Sequence, residues 1–397
     1  MFFIVANYYV SPTGAGNSTG SSSANAATID KLSSLIDKAG PNDQILVRAD
    51  QGSYHVTSQI AIHAGGSDGK PITIRGVDGS GNSAQATIIG SRPAKYAGDV
   101  GAGNELFKLL DGADNLKFKD LVVKDTGTAF RFGADVAHVT IDNVDAKNVA
   151  YFINDLASGD AKSASVDMLT IRNADVVGFS DKAIYLAYDT HGVKVQNVIA
   201  DMAGQTGEKY PEGVHLGDTV HEVLIQDTRM SNVQSTGKST AYWNGDGFAT
   251  EGNVHDVRFE DTVANGNTDA GYDLKSHDTV LVGAVADDNT RNYRIWGSAD
   301  LIDSAGYDPH KRGGSSQQSE VWIGENADVK IEGSTFQDSS KNTTVFTGSH
   351  GAIDFDDVVT YHANGTAMNG LYHANVLGTN EITDHFVYPG SLSHDLT

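Results

Sequence analysis

The sequence predicts an all-β protein, a single-domain parallel β-helix with a short N-terminal capping helix. Three observations predict it. Between Asn244 and Gly297, short glycine- or asparagine-led strands (Gly247–Thr250, Gly271–Leu274, Asn292–Ile295) each follow a turn of Asn, Asp, Thr and Gly. A chain that repeats strand and turn every 20 to 50 residues or so, without a helical pattern, winds a solenoid whose coils bury their faces on one another. Second, one short strand with apolar first and third residues recurs, beginning at Leu116, Val139, Leu169, Val193, Val223, Val257, Val280, Val329 and Ile353. The spacings are 23, 30, 24, 30, 34, 23, 49 and 24 residues, so the shortest is the coil and the excess is loop, with insertions expected after Ile153, Ala203, Val233 and Trp296. Third, 44 Gly and only 7 Pro in a chain rich in Asp, Asn, Ser and Thr suit many turns and few long helices.

Taken in order, residues 7–40 read as an N-terminal cap. Tyr8–Val10 is a strand, a Gly/Ser/Asn loop runs to Asn25, and Thr28–Ala39 places Leu32, Leu35 and Ile36 on one face of a helix that covers the open end of the solenoid. The runs Gln44–Arg48, Gly52–Tyr54, Ile60–Ile62, Pro71–Arg75 and Thr87–Gly90 then alternate apolar and polar as half-buried strands do. The regular coils follow, and residues 361–397, less regular, are expected to cap the far end.

Charge narrows the function classes. The 397 residues carry a formal charge of -23, which argues against nucleic acid or an anionic membrane as partner. There is no cysteine, and no run reaches the roughly 18 apolar residues of a membrane span. Met1–Ala6 shows no basic region or cleavage site, so the expected setting is a secreted bacterial protein without a classical signal peptide, acting as a monomer.

Each coil also presents a further strand: Phe130–Phe132, Tyr151–Ile153, Ile184–Leu186, Val214–Leu216, Phe248–Thr250, Tyr272–Leu274 and Tyr293–Ile295. With the apolar flanks inward, the middle residues form an outward column of Arg131, Phe152, Tyr185, His215, Ala249, Asp273 and Arg294, with Glu251, Lys275 and Trp296 two positions on. Aromatic rings stack on sugar faces and ionisable groups meet carboxylates and hydroxyls, so this column reads as a sugar groove; an ordinary solvated sheet face is the plainer alternative. Asp246, Asp269 and Asp273 fall on adjacent coils about 4.8 Å apart, and three carboxylates that close are relieved of repulsion by a hard cation such as Ca²⁺. Asp246 and Asp269 as mere turn formers is the other reading. Among nearby bases, Arg294 and then Lys275 are the candidates to take a proton beside a uronic carboxylate, or else to form salt bridges to the acidic cluster. Tyr242, Glu212, Tyr307, Asp308, His310 and Arg312 are further groove candidates.

Two stretches carry a resemblance. YYVSPTGAGNSTG with the following helix, DQILVRADQGSYHV and GKPITIRG, and then NGDGFATEGNVHDVRFEDTVANGNTDAGYDLKS, resemble the right-handed parallel β-helix polysaccharide lyases, particularly family nine, which includes calcium-dependent pectate lyases. The resemblance implies calcium held by Asp246, Asp269 and Asp273, with Ala270 standing where the family usually has a further aspartate. It also implies a catalytic base at Arg294, in place of the family's lysine. Tyr307–His310 partly echoes a motif of mannuronan C5-epimerases. The function so implied is β-elimination of an acidic, uronate-containing polysaccharide, with Tyr185, His215, Trp296, Arg131 and Tyr242 binding substrate. C5-epimerisation and a non-catalytic carbohydrate-binding solenoid are the alternatives.

Overall fold

The computed structural model describes residues 5–93, 103–205, 210–235, 242–364, 367–368 and 370–392. Among these, thirty-two strands and one α-helix form a parallel β-helix, as the repeat predicts. Each coil has three faces where the sequence reading counted two. The chain falls into two compact units, 1–198 and 199–397.

The first unit opens with the strand Asn7–Val10, followed by a 3-10 turn Ile29–Lys31 and the α-helix Leu32–Lys38. Ile29, Leu32, Leu35 and Ile36 are buried, the face expected of a cap. Three long strands, Leu116–Phe132, Val136–Asp155 and Val166–Leu186, run around all three faces. They turn corners on single left-handed residues, Asp120 and Asp125 in one coil and Asn143 and Asn148 in the next, all with φ between 52° and 56°. Asn and Asp tolerate that conformation because their short side chains bond locally, which is why this chain is so rich in them.

Leu116 pairs with Val139 and Val139 with Leu169, as counted from sequence. The outward column needs one correction here. Phe130 pairs with Ile153, so the outward residue of that coil is Asn154, next to Arg131, while Phe152 is fully buried against Phe130. Ala150–Ile153 is an unbroken apolar run with no alternation, so its parity is invisible until the coil length fixes the pairing.

In the second unit the first face runs Val223, Val257, Thr279, Ala299, Val329, Ile353 and Val376 in register. Two expectations are thereby corrected. Thr279, not Val280, aligns with Val257, and the 49-residue gap is only partly insertion: it holds a whole coil, with strands Ser298–Ile302 and Ala305–Tyr307, and a loop from Asp308 to Gln318. The second face consists of short strands such as Arg229–Ser231, Val263–Asn265 and Val285–Asp287. Their inward residues are small, as at Ala264 and Ala286, and give no apolar signal. Gly283 sits at the corner position that Asp261 and Asp303 fill in neighbouring coils, with the same positive φ, and a Cβ there would meet Asp261 Oδ1 at 2.5 Å.

The third face stacks Val214, Phe248, Tyr272, Tyr293, Val321 and Phe346 inward. The rings of Phe248 and Tyr272 lie 5.1 Å apart and those of Tyr272 and Tyr293 5.2 Å, nearly parallel. Such pairs contribute about 0.5–1.5 kcal/mol each beyond their burial. The Tyr293 hydroxyl donates within 2.8 Å of the Ala284 carbonyl and 2.7 Å of the Ala305 carbonyl, tying this face to the second. Whatever points outward here therefore stands on a rigid floor. Beyond residue 361, the strands Gly370–Tyr372, Asn375–Leu377 and Ile382–Phe386 continue the parallel pairing, so coil occupies part of the expected far cap. Residues 365–366, 369 and 393–397 of that cap, 1–4 of the N-terminal run, and parts of the loops expected after Ala203 and Val233 lie outside the described residues.

Candidate functional site

On the third face of the second unit, register aligns His215, Ala249, Asp273, Arg294 and Trp322 as one outward column, each flanked by buried residues. A second set of pairs three positions earlier aligns Glu212 with Asp246 and Ala270 with Arg291. The coil-to-coil pairing thus brings residues from five segments of sequence together.

At the centre, Asp269 is fully buried, and Asp246 and Asp273 nearly so. Arg294 Nη1 lies 3.1 Å from Asp269 Oδ2, 3.3 Å from Asp273 Oδ2 and 3.2 Å from the Tyr242 hydroxyl oxygen. Arg291 Nη1 approaches Asp269 Oδ1 at 3.3 Å. The Tyr242 hydroxyl donates to Asp269 Oδ2 at 2.8 Å, Trp296 Nε1–H to Asp273 Oδ1 at 2.9 Å, and the Ala270 N–H to Asp246 Oδ1 at 2.7 Å. The Arg294 guanidinium carbon is 4.8 Å from the Trp296 ring centroid and 5.6 Å from that of Trp322, and the two indoles meet edge to face. Cation–π attraction adds to the ion pairs in holding the guanidinium there.

The electrostatics follow from burial and neighbours. Burial pushes the Asp246 carboxyl well above its ordinary range, and the nearby Asp273, Asp269 and Glu212 carboxylates push it further. Burial also raises Asp273, against the pull of Arg294 and Lys275. Burial by itself would lower Arg294, but Asp273 and Asp269 outweigh it and hold the guanidinium firmly protonated. Arg291 goes the other way, lowered by burial. The Tyr242 phenol is raised by burial and by Asp246 and Asp269, so it stays protonated. Lys275 Nζ bonds Glu251 Oε1 at 2.7 Å; burial alone would lower it, yet Glu251 and Asp273 leave it raised.

Of the residues expected from sequence, Asp246, Asp269, Asp273, Arg294, Trp296 and Tyr242 come together. His215 stands on the same column two coil steps from Asp273, roughly 10 Å along the sheet. Its Nδ1 lies 2.7 Å from Glu212 Oε2, which orients the ring. Arg131 and Tyr185 belong to the first unit: Arg131 binds the Glu105 carboxylate and the carbonyls of Leu156 and Ala157, and Tyr185 is half-buried with the Lys182 ammonium 5.9 Å from its ring. His310 and Arg312 both turn to Asp288, and Gly313 lies so near Trp243 that a Cβ would meet its ring at 2.6 Å. The loop after Tyr307 therefore braces the backbone next to Tyr242. Trp322 is a residue of this column that the sequence reading missed. Its signal, an aromatic between Val321 and Ile323, was present but hidden by the insertion expected after Trp296.

Calcium can be tested against these contacts. Five of the six oxygens of Asp246, Asp269 and Asp273 already accept from protein donors. Among the described residues no group of three or more His, Asp or Glu side chains is arranged to hold a metal ion. The residues present do not fit the ion.

No protein-family model matches the chain, and no curated protein sequence matches it. Solved structures match in fold. The crystal structure of pectate lyase Pel9A superposes with a TM-score of 0.56 at 17% identity, over 78% of this chain and 77% of that one. A mannuronic acid-specific polysaccharide family 6 lyase from human gut microbiota superposes at 0.51 and 12% identity, over 98% and 89%. A GH136 lacto-N-biosidase from Eubacterium ramulus gives 0.49 and 11%, over 96% and 68%. At these identities the first two, with TM-scores above 0.5, show likeness of fold alone.

Proposed function

We propose that this protein is a polysaccharide lyase that cleaves a uronate-containing acidic polymer by β-elimination on the third face of its second unit. The observation that carries the reading is the Arg294 guanidinium, fixed beside two indole rings on the same outward column as His215, whose ring meets Glu212. Elimination needs a cation to neutralise the uronate carboxylate, so that the C5 carbanion can delocalise as an enolate, and a base to take the C5 proton.

Arg294 and Arg291 supply the cation. The bonds that keep Arg294 charged suit it to this task better than to proton removal, for which it would first have to shed a proton against Asp269 and Asp273. His215 is the proton acceptor: Glu212 at Nδ1 orients the ring, and imidazole is the side chain most often used as a general base. The C5–H electrons pass into the carboxylate and return to form the C4=C5 double bond as the C4–O bond breaks. The departing oxygen takes a proton from Tyr242. Trp296 and Trp322 stack the sugar rings. No step runs through calcium.

The names of the two superposing lyases, one of pectate and one specific for mannuronic acid, accord with this reading. An extracellular, monomeric setting belongs to the same proposal, since a charge of -23 keeps copies of the chain apart.

The test is incubation with pectate, alginate, glucuronan and acidic exopolysaccharides, following ultraviolet absorbance of the conjugated double bond, reducing ends and C5 proton exchange. Elimination raises absorbance and reducing ends together. Reducing ends without absorbance would make the protein a hydrolase, exchange without cleavage an epimerase, and retention without either a binding solenoid.

A further inference from the structure

We infer that Arg294 is a resident cation: its guanidinium holds the place between Asp269 and Asp273 that a divalent ion would need, and removing it turns this acidic cluster into a calcium site. Three oxygens, from Tyr242, Asp269 and Asp273, surround one nitrogen, Arg294 Nη1, at 3.1–3.3 Å. Calcium binds such oxygens at about 2.3–2.6 Å, so ion and nitrogen exclude one another at that point.

Charge points the same way. Asp246, Asp269 and Asp273 are buried carboxylates, and the guanidinium groups of Arg291 and Arg294 bring the two positive charges that one divalent ion would bring. Those charges are attached to the chain and cannot diffuse away. Trp296 fixes the arrangement twice, through Nε1 on Asp273 Oδ1 and through its ring face against the Arg294 guanidinium. Ala270 completes the design from the other side. Its side chain adds no further oxygen ligand, and its N–H satisfies Asp246 Oδ1, which needs no metal in that role.

A second consequence concerns the cluster's task. A metal lends one ligand position to a substrate oxygen, whereas a guanidinium presents a flat row of N–H donors to a carboxylate. The cluster is thus suited to an anionic sugar under conditions where calcium is scarce.

The inference concerns what fills the cluster and is read without substrate, so it stands or falls apart from the elimination chemistry. The full chain, freed of metal by dialysis against chelator, is titrated with calcium chloride by calorimetry and by thermal melting. Wild type shows no saturable binding and no change in Tm up to about 1 mM, the range of weak extracellular calcium modules. Arg294→Ala shows saturable binding of one ion and a calcium-dependent rise in Tm on the order of 2–4 °C. That gain disappears when Asp269→Asn is added. Arg294→Lys, which keeps the charge, behaves as wild type. Saturable calcium binding by wild type that Asp269→Asn abolishes would overturn the inference, as would a folded Arg294→Ala protein that ignores calcium. Where Arg294→Ala does not fold, Arg294→Gln takes its place, and the wild-type titration still decides the first half.

Discussion

Two stacks of polar side chains run from coil to coil in this protein, and they obey opposite rules. At the corners of the first unit, Asn143 Nδ2–H bonds Asp120 Oδ1 at 2.6 Å, Asn148 bonds Asp125 at 2.7 Å, and Asn197 bonds Asn173 at 3.0 Å. One rule serves each of these corners: a left-handed Asn or Asp, with the amide of each Asn donating to the side-chain oxygen of the Asp or Asn in the preceding coil. On the third face of the second unit the column changes character at each step, from His215 to Ala249, Asp273, Arg294 and Trp322. There no residue could be satisfied by a copy of itself, and buried charges are balanced only by unlike neighbours. A repeat that repeats its chemistry is holding the coil together. A repeat that abandons it while keeping the register is where we propose the substrate binds.

The comparison can be broken in several places. The largest effect is expected at His215→Ala, which lowers the rate of unsaturated product by about 10²–10⁴-fold while leaving Tm nearly unchanged; equal loss of both would return His215 to an architectural role. Arg294→Ala in chelator should cost about 3–5 kcal/mol of stability, measured by denaturant unfolding, since it leaves Asp269 and Asp273 buried without their partner. In the corner stack, Asn143→Ala should cost about 1–2 kcal/mol through its left-handed backbone and lost bond, with catalysis untouched. Trp322→Ala should raise KM about tenfold with little change in kcat, the loss of one stacking platform.

The smallest effect is a pH dependence. The folded-state carboxyl of Asp246 is raised by burial and by Asp273, Asp269 and Glu212, so its contribution to stability is complete below the ordinary carboxylate range and is lost as pH climbs through the raised value. Asp246→Asn removes that loss. Its melting temperature should gain on wild type between acid and neutral pH, and parallel curves would show that Asp246 carries no unfavourable charge.

The same contrast explains what could be read from sequence. The first face was legible at Val257 and Val329 because an apolar–polar–apolar strand at coil spacing has few other meanings. The capping helix was legible from Leu32, Leu35 and Ile36. The second face was not, since inward residues such as Ala264 and Ala286 are small and its strands are three residues long. The coil through Ala299 and Leu301 escaped for a like reason, and with it went Trp322. In the site, the aspartates and Arg294 could be named, and a salt bridge between them was one of two readings; that the bridge joins Arg294 to Asp269 and Asp273 depends on which residue of one coil lies over which residue of the next. A one-residue error, as at Phe152, moves a side chain from the groove into the core.

The most direct measurement is the initial rate of double-bond formation by chelator-treated wild type on a panel of uronate polymers, repeated after calcium is restored. A rate that is present on one polymer and indifferent to calcium is the result expected of a column that carries its own cation. A rate that appears only with calcium, or no double bond on any polymer under either condition, would contradict it.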